Sequence, residues 1–73
     1  MCQWVITADH VEGKKEGAGN FTGDLLQLPY RFKMLNEDRL CFEGRSNEKG
    51  AFDPLDWGKG AAGCIAIEYE KRH

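Results

Sequence analysis

What this chain lacks narrows it first. Its three cysteines, Cys2, Cys41 and Cys64, include no Cys-x-x-Cys pair. An odd, scattered set makes neither a disulfide framework nor a zinc-ligand spacing. No apolar run approaches the ~20 residues a membrane helix needs, and no charged-then-apolar leader opens the chain. Together these absences set the expectation of a reducing, cytoplasmic compartment. A basic excess is missing too: 10 Lys and Arg face 12 Asp and Glu, a net charge of -2. No basic stripe is then available to track a phosphate backbone. There is no internal repeat, no low-complexity tract and no amphipathic helix of ordinary length.

What remains is enough for one small globular domain, residues 1–73. Apolar content of 41% with 30% charged side chains is far from the composition of a disordered chain. At this length only about 60% of the unfolded surface is buried on folding, so stability should be modest.

The stretch that organises the rest is Leu26 to Gly44. Leu26, Leu28, Tyr30, Phe32 and Met34 alternate with Gln27, Pro29, Arg31 and Lys33, a period of two that gives a strand with one dry and one wet face. A return strand follows a reversal at Asn36-Glu37-Asp38. Pairing Leu35 with Arg39 across a three-residue loop sets Met34 against Leu40, Phe32 against Phe42, Lys33 against Cys41 and Arg31 against Glu43. Asp38 is then the left-handed residue of the loop. Arg31, Lys33, Arg39, Cys41, Glu43 and Arg45 fall on the wet face, which makes them the candidate binding surface.

The remaining segments follow the same rules. Cys2 to Ala8 alternates and is rich in β-branched and aromatic residues, so it reads as a strand. Residues 9–20 are polar with three glycines, the composition of a long mobile loop, and Phe21-Thr22 is where the chain re-enters the sheet. Pro29 marks an edge, a bulge or a stop in pairing. Asp53-Pro54-Leu55-Asp56-Trp57-Gly58 has an acid, a proline and a closing glycine at the spacing of one short helical turn capped by Asp53. Cys64 to Glu70 alternates again as a last strand. The expected fold is all-β: a small twisted antiparallel sheet or half-open barrel of four to five strands on a central hairpin, with one short helical turn. Its core is expected to hold Trp4, Ile6, Leu28, Tyr30, Phe32, Met34, Leu40, Phe42, Leu55, Trp57, Ile65, Ile67 and Tyr69.

No motif carries a reaction. Residues 58–63 spell Gly-x-Gly-x-x-Gly, but a strand follows where a dinucleotide site needs a helix N-terminus, so a flexible connection is expected. The glycines of residues 17–23 lack the Gly-Lys-Ser/Thr ending of a phosphate loop. Cys2, Cys41, Cys64 and His10 are scattered by strand parity, with Cys2 on the dry face and Cys41 and Cys64 on the wet one, so neither a metal nor a cofactor is expected. Cys2 has no partnering base to make it a nucleophile. His10 is a solvated histidine among acids, and Asp53 and Asp56 serve a turn better than a carboxylate pair.

Leu28 to Leu35, then Phe42-Glu43-Gly44-Arg45-Ser46, then Leu55-Asp56-Trp57-Gly58 and Gly63 to Tyr69 form a layout that resembles small uncharacterised bacterial β-rich proteins over residues 28–69. The resemblance implies a short β-rich bacterial protein and carries no catalytic residue or ligand. The expectation is a non-enzymatic module that binds a protein partner through a sheet edge or its loops. The alternative is a small barrel that binds single-stranded nucleic acid through exposed aromatics with Arg31, Lys33, Arg39 and Arg45. No membrane role is expected, and the oligomeric state is open.

Overall fold

The computed structural model describes residues 2–70. The alternating segments form four strands: β1 (Trp4–Asp9), β2 (Tyr30–Asn36), β3 (Arg39–Ser46) and β4 (Ala66–Tyr69). They make one antiparallel sheet in the order β1-β3-β2-β4, with β3 and β2 central. Of the two expected forms the open sheet is the one found. A helix α1 (Asp53–Ala62) lies on one face, and a single 3-10 turn, Leu25–Gln27, precedes β2.

The hairpin is there, but its register differs from the expected one. It turns through Glu37 and Asp38 alone, with Asn36 paired to Arg39 and Leu35 to Leu40. The left-handed residue is Glu37 at φ 56°, not Asp38. Carried on without interruption, this turn would set Phe32 against Glu43 and bury a charge. A bulge prevents it: Met34 pairs with Phe42, which leaves Cys41 as the extra residue. Beyond the bulge Lys33 faces Glu43, Phe32 faces Gly44 and Arg31 faces Arg45. Phe42, Gly44 and Ser46 thus stay on the helix side, and Glu43 and Arg45 stay outside.

The outgoing strand also starts later than its alternation suggests. Leu25 to Gln27 curl into the 3-10 turn, with Asp24 accepting from the Leu26 N–H at 2.9 Å. Leu26 is consequently 81% exposed instead of buried, while Leu28 is fully enclosed. Pro29 sits immediately before the first paired residue, Tyr30, a place where no ladder donor is needed.

The helix is longer than the single turn expected. It begins after Phe52, which makes no side-chain cap, so Asp53 is inside the first turn and not the N-cap; there its charge complements the helix dipole. It runs through Gly58 and Gly60 and ends at Gly63, whose φ of 69° gives the left-handed close. The glycine-rich stretch is therefore helical up to Ala62 and not a loose connection. Tertiary contact explains the first of these glycines: a Cβ on Gly58 would lie 2.6 Å from Met34 Sδ and 3.2 Å from Cys64 Sγ. Met34 is fully buried and has nowhere to move. Around Gly60 there is nothing within 4 Å. Opposite outcomes are expected for the same substitution. Gly58→Ala should destabilise by about 1–2 kcal/mol, overpacking outweighing helix propensity. Gly60→Ala should stabilise by up to about 1 kcal/mol. Urea unfolding of the two variants checks both signs.

The core lies between α1 and the inner face of the sheet. Trp4, Ile6, Phe32, Met34, Phe42 and Leu55 are buried there with all three cysteines. Trp57 tilts against Phe42 at 5.0 Å and Trp4 at 5.6 Å between ring centroids. Tyr30, Leu40, Ile67 and Tyr69 are only half-buried. Ile65 is exposed, because it precedes β4 at the margin of the sheet. The Tyr69 hydroxyl donates to the Ala51 carbonyl at 2.8 Å, fixing the connection that leads into α1.

Residues 10–20 form an anchored loop where a mobile one was expected. The Asp9 carboxylate accepts N–H bonds from Val11, Glu12, Lys14 and Lys15 at 2.8–3.1 Å. The chain then runs back along the outer edge of β1. Ile6 N–H donates to the Ala18 carbonyl, Gly17 N–H to Ile6 and Asn20 N–H to Trp4. The bridge to the sheet is Gly19 with Val5, not Phe21-Thr22. Burial alone would push the Asp9 carboxyl up, but the four N–H donors outweigh it and hold it well below the usual carboxylate range. A lowered folded pKa means the latch contributes fully above the ordinary value of 3.8, declines below it and is lost only as the pH falls through the lowered folded value. The amide resonances of Val11, Glu12, Lys14 and Lys15 should drift toward random-coil positions during acid titration in that window. Asp9→Ala should produce the same drift at neutral pH.

Candidate functional site

The face of the sheet opposite α1 is concave. It carries an open groove of about 720 Å³, walled at one end by Leu25 and Leu26 of the 3-10 turn. Strand alternation delivers its polar lining: Thr7 from β1, Arg31 and Lys33 from β2, Glu43 and Arg45 from β3, and Glu68, with Glu70 just past β4.

Of the six wet-face candidates, Arg31, Lys33, Glu43 and Arg45 meet in this groove. Arg39 does not line it, since it stands at the hairpin tip opposite Asn36. Cys41 is displaced to the other face by the bulge and is 2% exposed in the core, which corrects its placement on the wet face. Cys64, also expected on the wet face, is buried beside it. Burial, with Cys41 alongside, pushes the Cys64 thiol up to about 11. Cys2 is raised too, by burial and by the Asp53 and Glu48 charges. All three cysteines are free, and thiols held this way are poor nucleophiles.

Charge in the groove is patterned along the strands. Lys33 lies between Glu43 on one neighbour and Glu68 on the other, with Nζ 3.8 Å from Glu68 Oε1. Glu43 is also hydrogen-bonded to His10 Nε2 at 2.8 Å, which ties the anchored loop to this face. Arg31 reaches Glu70 at 3.8 Å. Arg45, directly opposite Arg31, has no carboxylate among the described residues; its Nη1–H donates to the Leu25 carbonyl at 3.3 Å and braces the 3-10 turn. Like charges paired across two strands repel, and Glu70 offsets this at Arg31 alone. The like-charged pair sits where Leu26 and Pro29 form an adjoining pocket with Glu70.

Thr7, Leu25, Leu26, Glu68 and Glu70 belong to the site but were not among the candidates. The glutamates did leave a signal. Glu68 and Glu70 are spaced by two, as are Lys33 and Arg31, and antiparallel pairing of those two segments makes two opposite-charge pairs. Leu26 gave none, because its alternation continued that of β2.

Among the described residues no group of three or more His, Cys, Asp or Glu side chains is placed to hold a metal. No helix there is long and apolar enough to cross a membrane. No family model matches the chain, and no curated protein or solved structure matches it either.

Proposed function

We propose that this chain is a non-enzymatic binding domain that holds a protein partner in the groove on the outer face of its sheet. The partner supplies an acidic residue next to an apolar one. The observation that carries this reading is the Arg31–Arg45 pair, placed directly opposite each other beside the exposed Leu26. A carboxylate set between the two guanidiniums relieves their repulsion and gains charge-assisted hydrogen bonds, while an apolar neighbour covers Leu26. The β1 edge and the loop beside it are less suited to such a partner, since that edge is occupied by residues 17–20 and the loop that leads there is anchored.

A stacking platform for single-stranded nucleic acid draws less support. Trp4, Phe32 and Phe42 are buried, and of the two aromatic residues that line the groove Phe32 is buried and Tyr69 is half-buried with its hydroxyl held by Ala51. We place the protein in a reducing compartment, where the adjacent Cys41 and Cys64 stay as thiols.

The test is a ¹⁵N-labelled titration with a short peptide alternating Glu and Leu at low ionic strength. Resonances of Leu26, Arg31 and Arg45 should shift together. Arg31→Glu and Arg45→Glu should each weaken binding about fivefold, and the double variant should abolish it. No shift at millimolar peptide sinks the reading, and salt-dependent shifts with a mixed-sequence DNA strand instead would favour the nucleic-acid one.

A further inference from the structure

We propose that the open edge of β4 pairs with β4 of a second copy of this chain, antiparallel about a twofold axis at Ile67. The two edges of the sheet are handled differently. β1 is covered by residues 17–20, whereas among the described residues no segment pairs with the outer side of β4. An open strand edge is a template for another strand.

The direction of the backbone groups fixes what β4 can offer. Glu70 N–H donates to the Arg31 carbonyl at 2.9 Å, and the register Lys33 to Glu68 and Leu35 to Ala66 continues that alternation. The N–H and C=O groups of Ile67 and Tyr69 therefore turn outward. Ile65 N–H is already held by the Leu35 carbonyl, so Ile65 contributes only its carbonyl. An axis at Ile67 uses these groups: Ile67 exchanges both its bonds with Ile67 of the second copy, and each Tyr69 N–H reaches an Ile65 carbonyl.

Side chains select the same axis. On the helix side Ile67 meets Ile67, and Tyr69 meets Ile65, which is 62% exposed in the single chain. On the groove side Glu68 faces Ala66. Moving the axis one residue toward Tyr69 would instead set Glu68 against Glu68, like charges directly opposite, and moving it one residue toward Ile65 would leave Tyr69 opposite Gly63, outside the strand. A twofold contact of this kind closes on itself, so it yields a dimer and not a fibre. Both grooves then lie on one face of a continuous sheet.

Sedimentation equilibrium of the full chain from micromolar to millimolar concentration tests this. Reversible dimerisation is expected, with Ala66→Lys tightening it about tenfold through Glu68 of the second copy and Ala66→Glu weakening it about tenfold. Circular dichroism checks that both variants fold. A chain monomeric at millimolar concentration overturns the proposal, and so does a dimer indifferent to both substitutions. Should either variant fail to fold, amide exchange of the natural chain decides. Ile67 and Tyr69 amides must slow with rising concentration, and unchanged rates overturn the proposal.

Discussion

Gly44→Ala should leave little or no folded protein. Gly44 is in the central strand β3, paired with Ile6 on one side and Phe32 on the other. A Cβ there would collide with the Val5 carbonyl oxygen and lie 2.5 Å from Phe32 Cζ, because the Phe32 ring covers the space a side chain would fill. The backbone oxygen is held by the β1–β3 ladder and cannot withdraw, and the ring is packed against Tyr69 at 5.6 Å. Overpacking usually costs about 1–3 kcal/mol, and against fixed backbone more. A chain of this length has only about 4–11 kcal/mol in total. Urea unfolding followed by tryptophan fluorescence should show the transition displaced to low denaturant or missing. A midpoint within experimental error of the parent would mean that Phe32 has another place to go.

Phe42→Ala should cost about 3–5 kcal/mol, the usual range for a fully buried aromatic. Phe42 has no exposed surface, touches Trp57, and is the residue the bulge keeps on the inner side. Its removal takes away the contact that fixes α1 as well as the reason for the bulge. The variant should lose the near-ultraviolet dichroism of Trp57 before its far-ultraviolet signal. Phe42→Leu, which refills most of the volume, should recover more than half of the loss.

Most of the strand content was legible because period-two alternation is a direct consequence of one buried face, and β1, β2, β3 and β4 each carry it. The bulge was not. Leu40-Cys41-Phe42 is apolar throughout, so alternation is silent where the register shifts by a residue. The length of α1 was hidden for a related reason: Gly58 and Gly60 read as breakers, yet Gly58 is required by the proximity of Met34 and Cys64, a contact invisible in a linear pattern. Of the groove, the charged lining from β2 and β3 was readable by parity. The pairing of Arg31 with Arg45 depended on the bulge and could not be read. Leu25 and Leu26 were missed because a 3-10 turn interrupts a pattern that looks continuous.

The Asp9 latch bears on the order in which the molecule assembles. Its hydrogen bonds span two to six residues, and the Trp4–Asn20 bond that closes the edge spans 16. Joining β1 to β3 requires closure over far longer distances, such as the sequence separation of 44 from Gln3 to Asn47. Short loops close with less entropic loss and sooner. Loop length thus favours an order in which β1 meets the β2–β3 hairpin as a ribbon whose far side is already satisfied, able to add to only one strand.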